Sequence, residues 1–297
     1  MFYQSIGTSK QNIHQLLERN MQEAETAGNV LVLVDQIRLD HPTMSCRAMY
    51  YKLKPLHIGR DSFERLCKMH GYSIEPLKSL HRTTYSNGVI RFDNLLAALV
   101  LTAPNQAWSS DITYFEIRDR FYYITFVLDC YSRVIVGHKV SQSLETIDTT
   151  MPALEMAIRK RKKTMGKGLI FHSDGGGQYY AKDFLKLTEK HNIRNSMCEY
   201  AYENGKAERI NGTIKNSYLK HFEIDSFDKL GKSVDRAVRL YNQEKPHKSL
   251  HYKTPQEYEK DWSILHQQTK PTVTKSLEAD YRCKGHRAPL HLSKPSL

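Results

Sequence analysis

The sequence predicts an α/β domain on a mixed five-stranded sheet flanked by helices, preceded by an all-α region. Three observations carry this. From Trp108 onward, β-branched and aromatic runs at Asp111–Phe115, Phe121–Leu128 and Val134–Val140 follow one another at hairpin spacing, as in an antiparallel meander. After them the pattern turns to helix, strand, helix, strand, helix. Before residue 76, apolar residues recur only at helical spacing.

Taken in order, Ile13, Leu16, Leu17 and Met21 predict a helix from about Lys10 to Ala27, and Val30–Leu39 a second one packed against it. His41-Pro42 interrupts the pattern, after which Ser45 can cap a helix carrying Met49, Tyr50 and Leu53. A short turn holding Gly59 leads to a further helix, capped by Asp61 or Ser62. Its Phe63, Leu66 and Cys67 point inward and its Arg65, Lys68 and His70 outward. Helix, short turn, helix is the helix-turn-helix layout, and Arg65 and Lys68 are candidate DNA contacts on its second helix. Residues 76–104 read as a linker that closes on the apolar patch Leu95–Leu101.

In the second half, residues 147–158 form a helix with an apolar side, ending in the basic run Arg159-Lys160-Arg161-Lys162-Lys163. Such a run is a solvated helix end or, with Arg161 and Lys162 foremost, a phosphate contact. Leu169-Ile170-Phe171 is a buried strand that stops at Asp174, where Gly175-Gly176-Gly177 lets the backbone turn. A helix over Asp183–Lys190, a strand over Ile193–Cys198 and a helix with Ala207, Ile210, Ile214 and Tyr218 on one face follow. Glu208 lies beside that stripe, with Asn211, Gly212 and Lys215 stacked at i+3, i+4 and i+7. Tyr241–Pro255 reads as a final helix and turn, and the chain from Trp262 as a basic tail.

Composition excludes several classes. No apolar run approaches the ~18 residues of a membrane span, and Met-Phe-Tyr-Gln-Ser lacks the order of a signal peptide. Five scattered cysteines without a C-x-x-C pair argue for reduced thiols in a cytosolic setting and against a zinc module. Forty-four Lys and Arg against 32 Asp and Glu give a net charge of +12, which makes a polyanion, above all nucleic acid, the expected partner.

The order strand, strand, strand, helix, strand, helix, strand, helix is that of a ribonuclease-H-like fold. In such a fold the strand of Asp111 and the strand ending at Asp174 lie side by side, and the helix of Glu208 crosses the same edge. Three converging carboxylates in a basic protein supply the hard oxygen ligands that Mg²⁺ takes. Two such ions ~3.5–4 Å apart serve in-line phosphoryl transfer, and without cations the like charges would repel.

The residues also carry a family resemblance. Trp108-Ser-Ser-Asp111-Ile-Thr113-Tyr114, Leu128-Asp129-Cys-Tyr-Ser132-Arg133-Val-Ile-Val-Gly137 and His172-Ser-Asp174-Gly-Gly-Gly-Gln178-Tyr179 resemble the integrase core of bacterial insertion-sequence transposases. Ser196-Met197, Glu203-Asn204 through Glu208-Arg209, Lys215, and Tyr241-Asn242 through Pro246-His247-Lys-Ser-Leu250 to Thr254-Pro255 continue it. The similarity is to the second-reading-frame (OrfB-type) subunit, whose core is akin to retroviral integrase, and it covers roughly Asn105 to Tyr258. It implies a D-D-E triad, here Asp111, Asp174 and Glu208, binding two Mg²⁺ or Mn²⁺ ions. It also implies donor-end cleavage by water and strand transfer by a 3′-hydroxyl. The 33 residues between Asp174 and Glu208 are about two fewer than the family commonly has, the loss falling between Met197 and Glu203. The retroviral His/Cys zinc module is missing.

The resemblance selects Asp111 over Asp129, which also ends a strand and takes a structural turn role. His172 and His247 are assigned to packing or phosphate contact, since two-metal chemistry needs no histidine. Trp108 is assigned as a core anchor. Lys215, Gln178, Tyr179 and Arg209 join Arg65, Lys68, Arg161 and Lys162 as candidate DNA contacts. The expected division is a helical DNA-binding region over residues 1–75, the linker, a catalytic core over residues 105–260 and a basic tail over residues 261–297. The expected function is metal-dependent cleavage and strand transfer of insertion-sequence ends. The alternatives are a nuclease of the same fold that does not join, and a non-catalytic DNA-binding regulator. Expected partners are double-stranded DNA, further copies of the chain, and an upstream OrfA-type subunit, as a frameshift fusion or separately. The expected location is the bacterial cytoplasm, associated with the nucleoid.

Overall fold

The computed structural model describes residues 7–74, 91–198, 201–265 and 273–274 of the 297. The all-α region opens with one helix, α1 (Lys10–Asp40), capped by the Ser9 hydroxyl, which accepts from the Asn12 amide at 3.1 Å. The two helices expected over this stretch are therefore one. Residues 27–29 offer Ala, Gly and Asn but no proline, and a single glycine costs an exposed helix only ~1 kcal/mol. Only its C-terminal third is buried, through Val30, Val34 and Ile37 at i, i+4 and i+7, while Leu16, Leu17 and Met21 stay exposed.

Ser45 caps α2 (Cys46–Leu53) as expected. Helix α3 (Arg60–Met69) begins after Gly59, without a side-chain cap, so Asp61 and Ser62 fall inside its first turn. Val30, Val34, Ile37, Met44, Met49, Phe63 and Cys67 close one small core, and Arg65 and Lys68 point to solvent.

The sheet comprises β2 (Ala107–Ile117), β3 (Arg120–Asp129), β4 (Ile135–Ser141), β5 (Ile170–Ser173) and β6 (Arg194–Met197), in the order β4-β3-β2-β5-β6. β2, β3 and β4 form the antiparallel meander, and β5 and β6 run parallel to β2 after helical crossovers. This is the ribonuclease-H-like arrangement expected from the element order. A separate two-residue strand, β1 (Val100–Leu101), pairs with β7 (Val273–Thr274). Residues 75–90, most of the expected linker, lie outside the described residues. Its apolar end does pack on the sheet domain, with Leu96 and Leu101 buried against Tyr131, Ile170, Leu250 and Tyr258.

Side chains alternate across the sheet, so each face holds its own core. One face packs α6 (Gly205–Ser217) and α7 (Phe227–Gln243), joining Ile117, Ile124 and Phe126 to Ile210, Ile214, Leu230 and Val234. The other packs α4 (Thr150–Arg161) and α5 (Lys182–Lys190), joining Trp108, Val127 and Val136 to Leu154, Phe171 and Phe184. Trp108 is the core anchor expected of it, fully buried and donating to the Asn105 side chain at 3.3 Å. At Gly137 the close approach of α4 is what requires glycine, since a Cβ there would stand 2.1 Å from the Ala153 carbonyl oxygen.

The helix and turn expected over 241–255 are present, α7 ending at Gln243 and the turn being closed by a bridge between His247 and Lys253, but that helix is not the last one. The chain then forms α8 (Pro255–Ile264), with Thr254 and Glu257 as a reciprocal capping box and Pro255 in the first turn. Trp262 is accordingly no tail residue; its indole donates to the Thr102 carbonyl at 2.9 Å. The apolar stripe of α8 is short, which hid the helix from periodicity, whereas its cap is written plainly in Thr-Pro-Gln-Glu.

The helical region is seated on the sheet domain. His41 lies 3.0 Å from the Tyr218 hydroxyl and 3.4 Å from Glu244, and Lys52 donates to Glu244 at 2.9 Å. Arg236 donates to Asp40 at 2.5 Å, and the rings of Tyr51 and Tyr252 stack 4.0 Å apart. No helix among the described residues is long and apolar enough to cross a membrane.

Candidate active site

β2 and β5 pair in parallel as far as Ser109 opposite His172. Asp111 and Asp174 each stand two residues further on, at corresponding positions just past the point where the two strands part. Asp111 is inside its strand, held by the meander, whereas Asp174 follows the last residue of β5. The Asp174 carboxylate accepts from the Gly176 amide at 3.1 Å. None of Gly175, Gly176 and Gly177 has a positive φ, so turning freedom is not their use here. Space is: a Cβ on Gly175 would stand 2.8 Å from the Met197 methyl, and one on Gly176 3.0 Å from the Asp174 carboxylate.

Helix α6 is fastened across β2 by two asparagines. Asn204 donates to the Ser110 carbonyl at 3.0 Å, and Asn211 donates to the Asp111 carboxylate at 2.8 Å. Glu208 sits between them, one turn from each, so all three belong to one helical face with Lys215. The role of the asparagines was not read from the sequence; the signal was their i−4 and i+3 spacing from Glu208.

Electrostatics tie the carboxylates together. Burial pushes the Asp111 carboxyl up to about 7, and the charges of Asp174 and Glu208 push it the same way. Burial also raises Asp174, and Glu208, exposed at the surface, is raised by partial burial and by Asp174. The three are thus within electrostatic reach of one another. Among the described residues, however, no three His, Cys, Asp or Glu side chains are gathered tightly enough to hold a metal ion. Asp111 is turned toward the Asn211 side chain and the Ile112 amide.

Asp129 behaves differently. It is fully buried and accepts from the amides of Asn105 at 2.6 Å, Tyr131 at 3.0 Å and Ser132 at 2.8 Å, and from the Ser132 hydroxyl. That is the turn-anchoring role expected of it. His172 is buried 2.9 Å from the Ser196 hydroxyl, and His247 packs edge-on against Tyr241, its pKa lowered by burial to about 3.

The candidate DNA contacts divide. Tyr179 is corrected: it is buried among Phe171 and Phe184, with its hydroxyl 3.0 Å from that of Ser110, and reaches no solvent-borne ligand. Arg161 is corrected too. Its guanidinium grips Glu259 with two bonds of 2.5 and 2.8 Å, joining α4 to α8, and that occupies its fork. Lys162, beside it, is exposed, as are Arg209, Arg65 and Lys68. Gln178 is half-buried at the rim next to Asp174. Lys215 holds its ammonium 4.3 Å from the centre of the Tyr114 ring, and burial, then Lys220, lowers its pKa.

Comparison with known proteins agrees with this architecture. The family described as "Integrase core domain" matches residues 102–202, and a second family of the same description matches residues 190–255. The uncharacterized 31 kDa protein of insertion element IS600 from Shigella sonnei is 31% identical over 198 residues, covering 65% of this chain and 72% of that protein. The transposase InsF of insertion sequence IS3A from Escherichia coli K12 is 32% identical over 133 residues, covering 44% of this chain and 45% of InsF, so the chain matches less than half of that relative. Among solved structures, the HTLV-2 integrase catalytic core domain in complex with magnesium is 23% identical with a TM-score of 0.43, covering 53% of this chain and 97% of that one. The BIV integrase core gives 15% and 0.40, over 54% and 97%. With a relative this similar over nearly three quarters of its length, and with integrase core matches laid over the residues that build the sheet, the chain belongs to the insertion-sequence transposases with an integrase-like core.

Proposed function

We propose that the chain is the catalytic subunit of a DNA transposase, a polynucleotidyl transferase that cuts insertion-sequence ends and joins them to target DNA. The observation that carries this is the placement of Asp111 and Asp174 at matching positions of two parting parallel strands, with Glu208 held over them by Asn204 and Asn211. Asp111, Asp174 and Glu208 form the D-D-E triad of this reading. Their donor chemistry fits Mg²⁺ or Mn²⁺: Asp174 and Glu208 raise Asp111, and Asp174 raises Glu208, so the group gains by sharing divalent cations, and the four charges of two ions would match three carboxylates and one phosphodiester. Such ions, when bound, supply Lewis-acid stabilisation of phosphoryl oxygens and a water of lowered pKa.

The chain's own residues do the rest. Asn211 keeps Asp111 oriented through one charge-assisted hydrogen bond. The side-chain-free Gly175–Gly177 backbone lets a phosphodiester approach Asp174 closely. Gln178 borders Asp174, and Lys215 and Arg209 stand on the helix of Glu208; the three are proposed to hold the DNA there, with Lys162 beyond them. The helical region, residues 1–75, is proposed to contact DNA through Arg65 and Lys68 on α3, with residues 105–260 as the catalytic core. Joining two ends calls for at least two copies of the chain, and an OrfA-type subunit is the proposed upstream partner. A cytoplasmic, nucleoid-associated location goes with these substrates.

The test is Mg²⁺-dependent cleavage and joining of a labelled duplex carrying the element's terminal sequence, with and without the upstream subunit. Wild type should yield cut and joined products, and Glu208→Gln neither, while still binding the duplex. Cleavage by wild type without joined products would make the chain a nuclease. Undiminished cleavage by Glu208→Gln would overturn the triad.

A further inference from the structure

Past Ser109 the edge of β2 that faces away from β3 has no strand partner among the described residues, and there the sheet opens into a cleft of about 210 Å³. Ile112, Tyr114, Tyr123 and Leu144 supply its apolar walls, and Asp174 and Gln178 close one side. The cleft is therefore continuous with the carboxylate site. Its aromatic wall is unusually open to solvent: Tyr114 is 55% exposed, with the likewise exposed Phe121 edge-on to it at 5.3 Å, and Leu144 is 40% exposed.

Flat phenol faces with a single side-chain amide at the rim suit a planar heteroaromatic ring with a polar edge. An anionic group is expected on the same ligand, because Lys215 carries its ammonium 4.3 Å from the Tyr114 ring on the side of α6. Ring and phosphate together describe a nucleotide. A base inside a stacked duplex cannot enter a cleft, so the nucleotide must be unstacked first.

Resting on the transposase reading above, we propose that this cleft receives a nucleobase turned out of the duplex beside the phosphodiester at the carboxylates. Tyr114 is the stacking platform, Gln178 meets the polar edge of the base, and Lys215 holds the adjoining phosphate.

The test is a cycle between protein and DNA, using the full chain and duplexes of the element's end in which one nucleotide at a time is made abasic. Binding is measured with Ca²⁺ in place of Mg²⁺, so that no cutting intervenes. Tyr114→Ala should bind the intact duplex about ten- to a hundredfold more weakly, the range produced by removing a base-stacking aromatic, and Tyr114→Phe should match wild type. At one abasic position flanking the scissile phosphate the difference between wild type and Tyr114→Ala should vanish, and at the others persist. Leu144→Ala should repeat that position-specific pattern with a smaller amplitude. A penalty equal at every abasic position, or no penalty at all, overturns the proposal. Glu208→Gln separates the two readings: if it binds like wild type but cuts as well, the triad fails while the cleft stands or falls on the abasic scan alone.

Discussion

The strongest test of the assignments contrasts Asp129, a strand-end carboxylate that in sequence resembles Asp111, with Glu208, one of the three carboxylates assigned to the site. Asp129→Ala would remove the acceptor for three buried backbone amides, those of Asn105, Tyr131 and Ser132, at a site with no solvent access. Each amide left without a partner costs ~1–3 kcal/mol, and relief from burying a carboxylate returns part of the sum. A net loss of about 3–5 kcal/mol follows, which for a chain of this size lowers the melting temperature by roughly 10 °C. Glu208→Gln, exposed and beside like charges, should stay within about 0.5 kcal/mol of wild type. Urea and thermal denaturation in EDTA, read beside cleavage in Mg²⁺, give both quantities for both variants. If Asp129→Ala melts like wild type but no longer cuts, Asp129 belongs to the reaction and the reasoning that separates it from Asp111 is wrong.

Other consequences can be measured with the same methods. Burial lowers the His41 pKa to about 4, well below the ~6.5 of an unfolded histidine, so the unfolded chain takes up this proton first as pH falls. The stability that neutral His41 contributes is present above pH ~6.5 and lost toward pH 4, by about 3 kcal/mol, so His41→Leu should flatten that part of the stability–pH profile. Gly137→Ala drives a methyl into the Ala153 carbonyl and should cost upward of ~3 kcal/mol, whereas Gly175→Ala meets only the flexible end of Met197 and should cost much less. Arg161→Gln should lower stability by about 2 kcal/mol through Glu259 and leave the salt dependence of DNA binding unchanged. Lys162→Ala should do the reverse, reducing the slope of log affinity against log salt by about 0.9 if Lys162 touches one phosphate.

The sequence by itself determined the class of fold and the position of the three carboxylates along it. Period-2 and period-3.6 patterning is a local property, so the meander, the strand ending at Asp174 and the stripe of α6 are legible without any tertiary contact. Where a signal is local but faint, the sequence misled: a lone glycine did not divide α1, and a strong cap rather than an apolar stripe announced α8. What only the tertiary structure decided is which side chains are still available once the chain has folded. Tyr179 lies next to the active loop in sequence yet turns into the core toward Ser110, and Arg161 sits in a basic run yet spends its fork on Glu259, ninety-eight residues away. Asn204 and Asn211 acquire their roles only because β2 passes beneath them. The cleft at Tyr114 lies where β5 stops short of the end of β2 and is walled by Tyr123 and Leu144 from elsewhere in the chain. Patterning says which face a residue occupies; the partner opposite that face comes from elsewhere in the chain, and no local pattern encodes it.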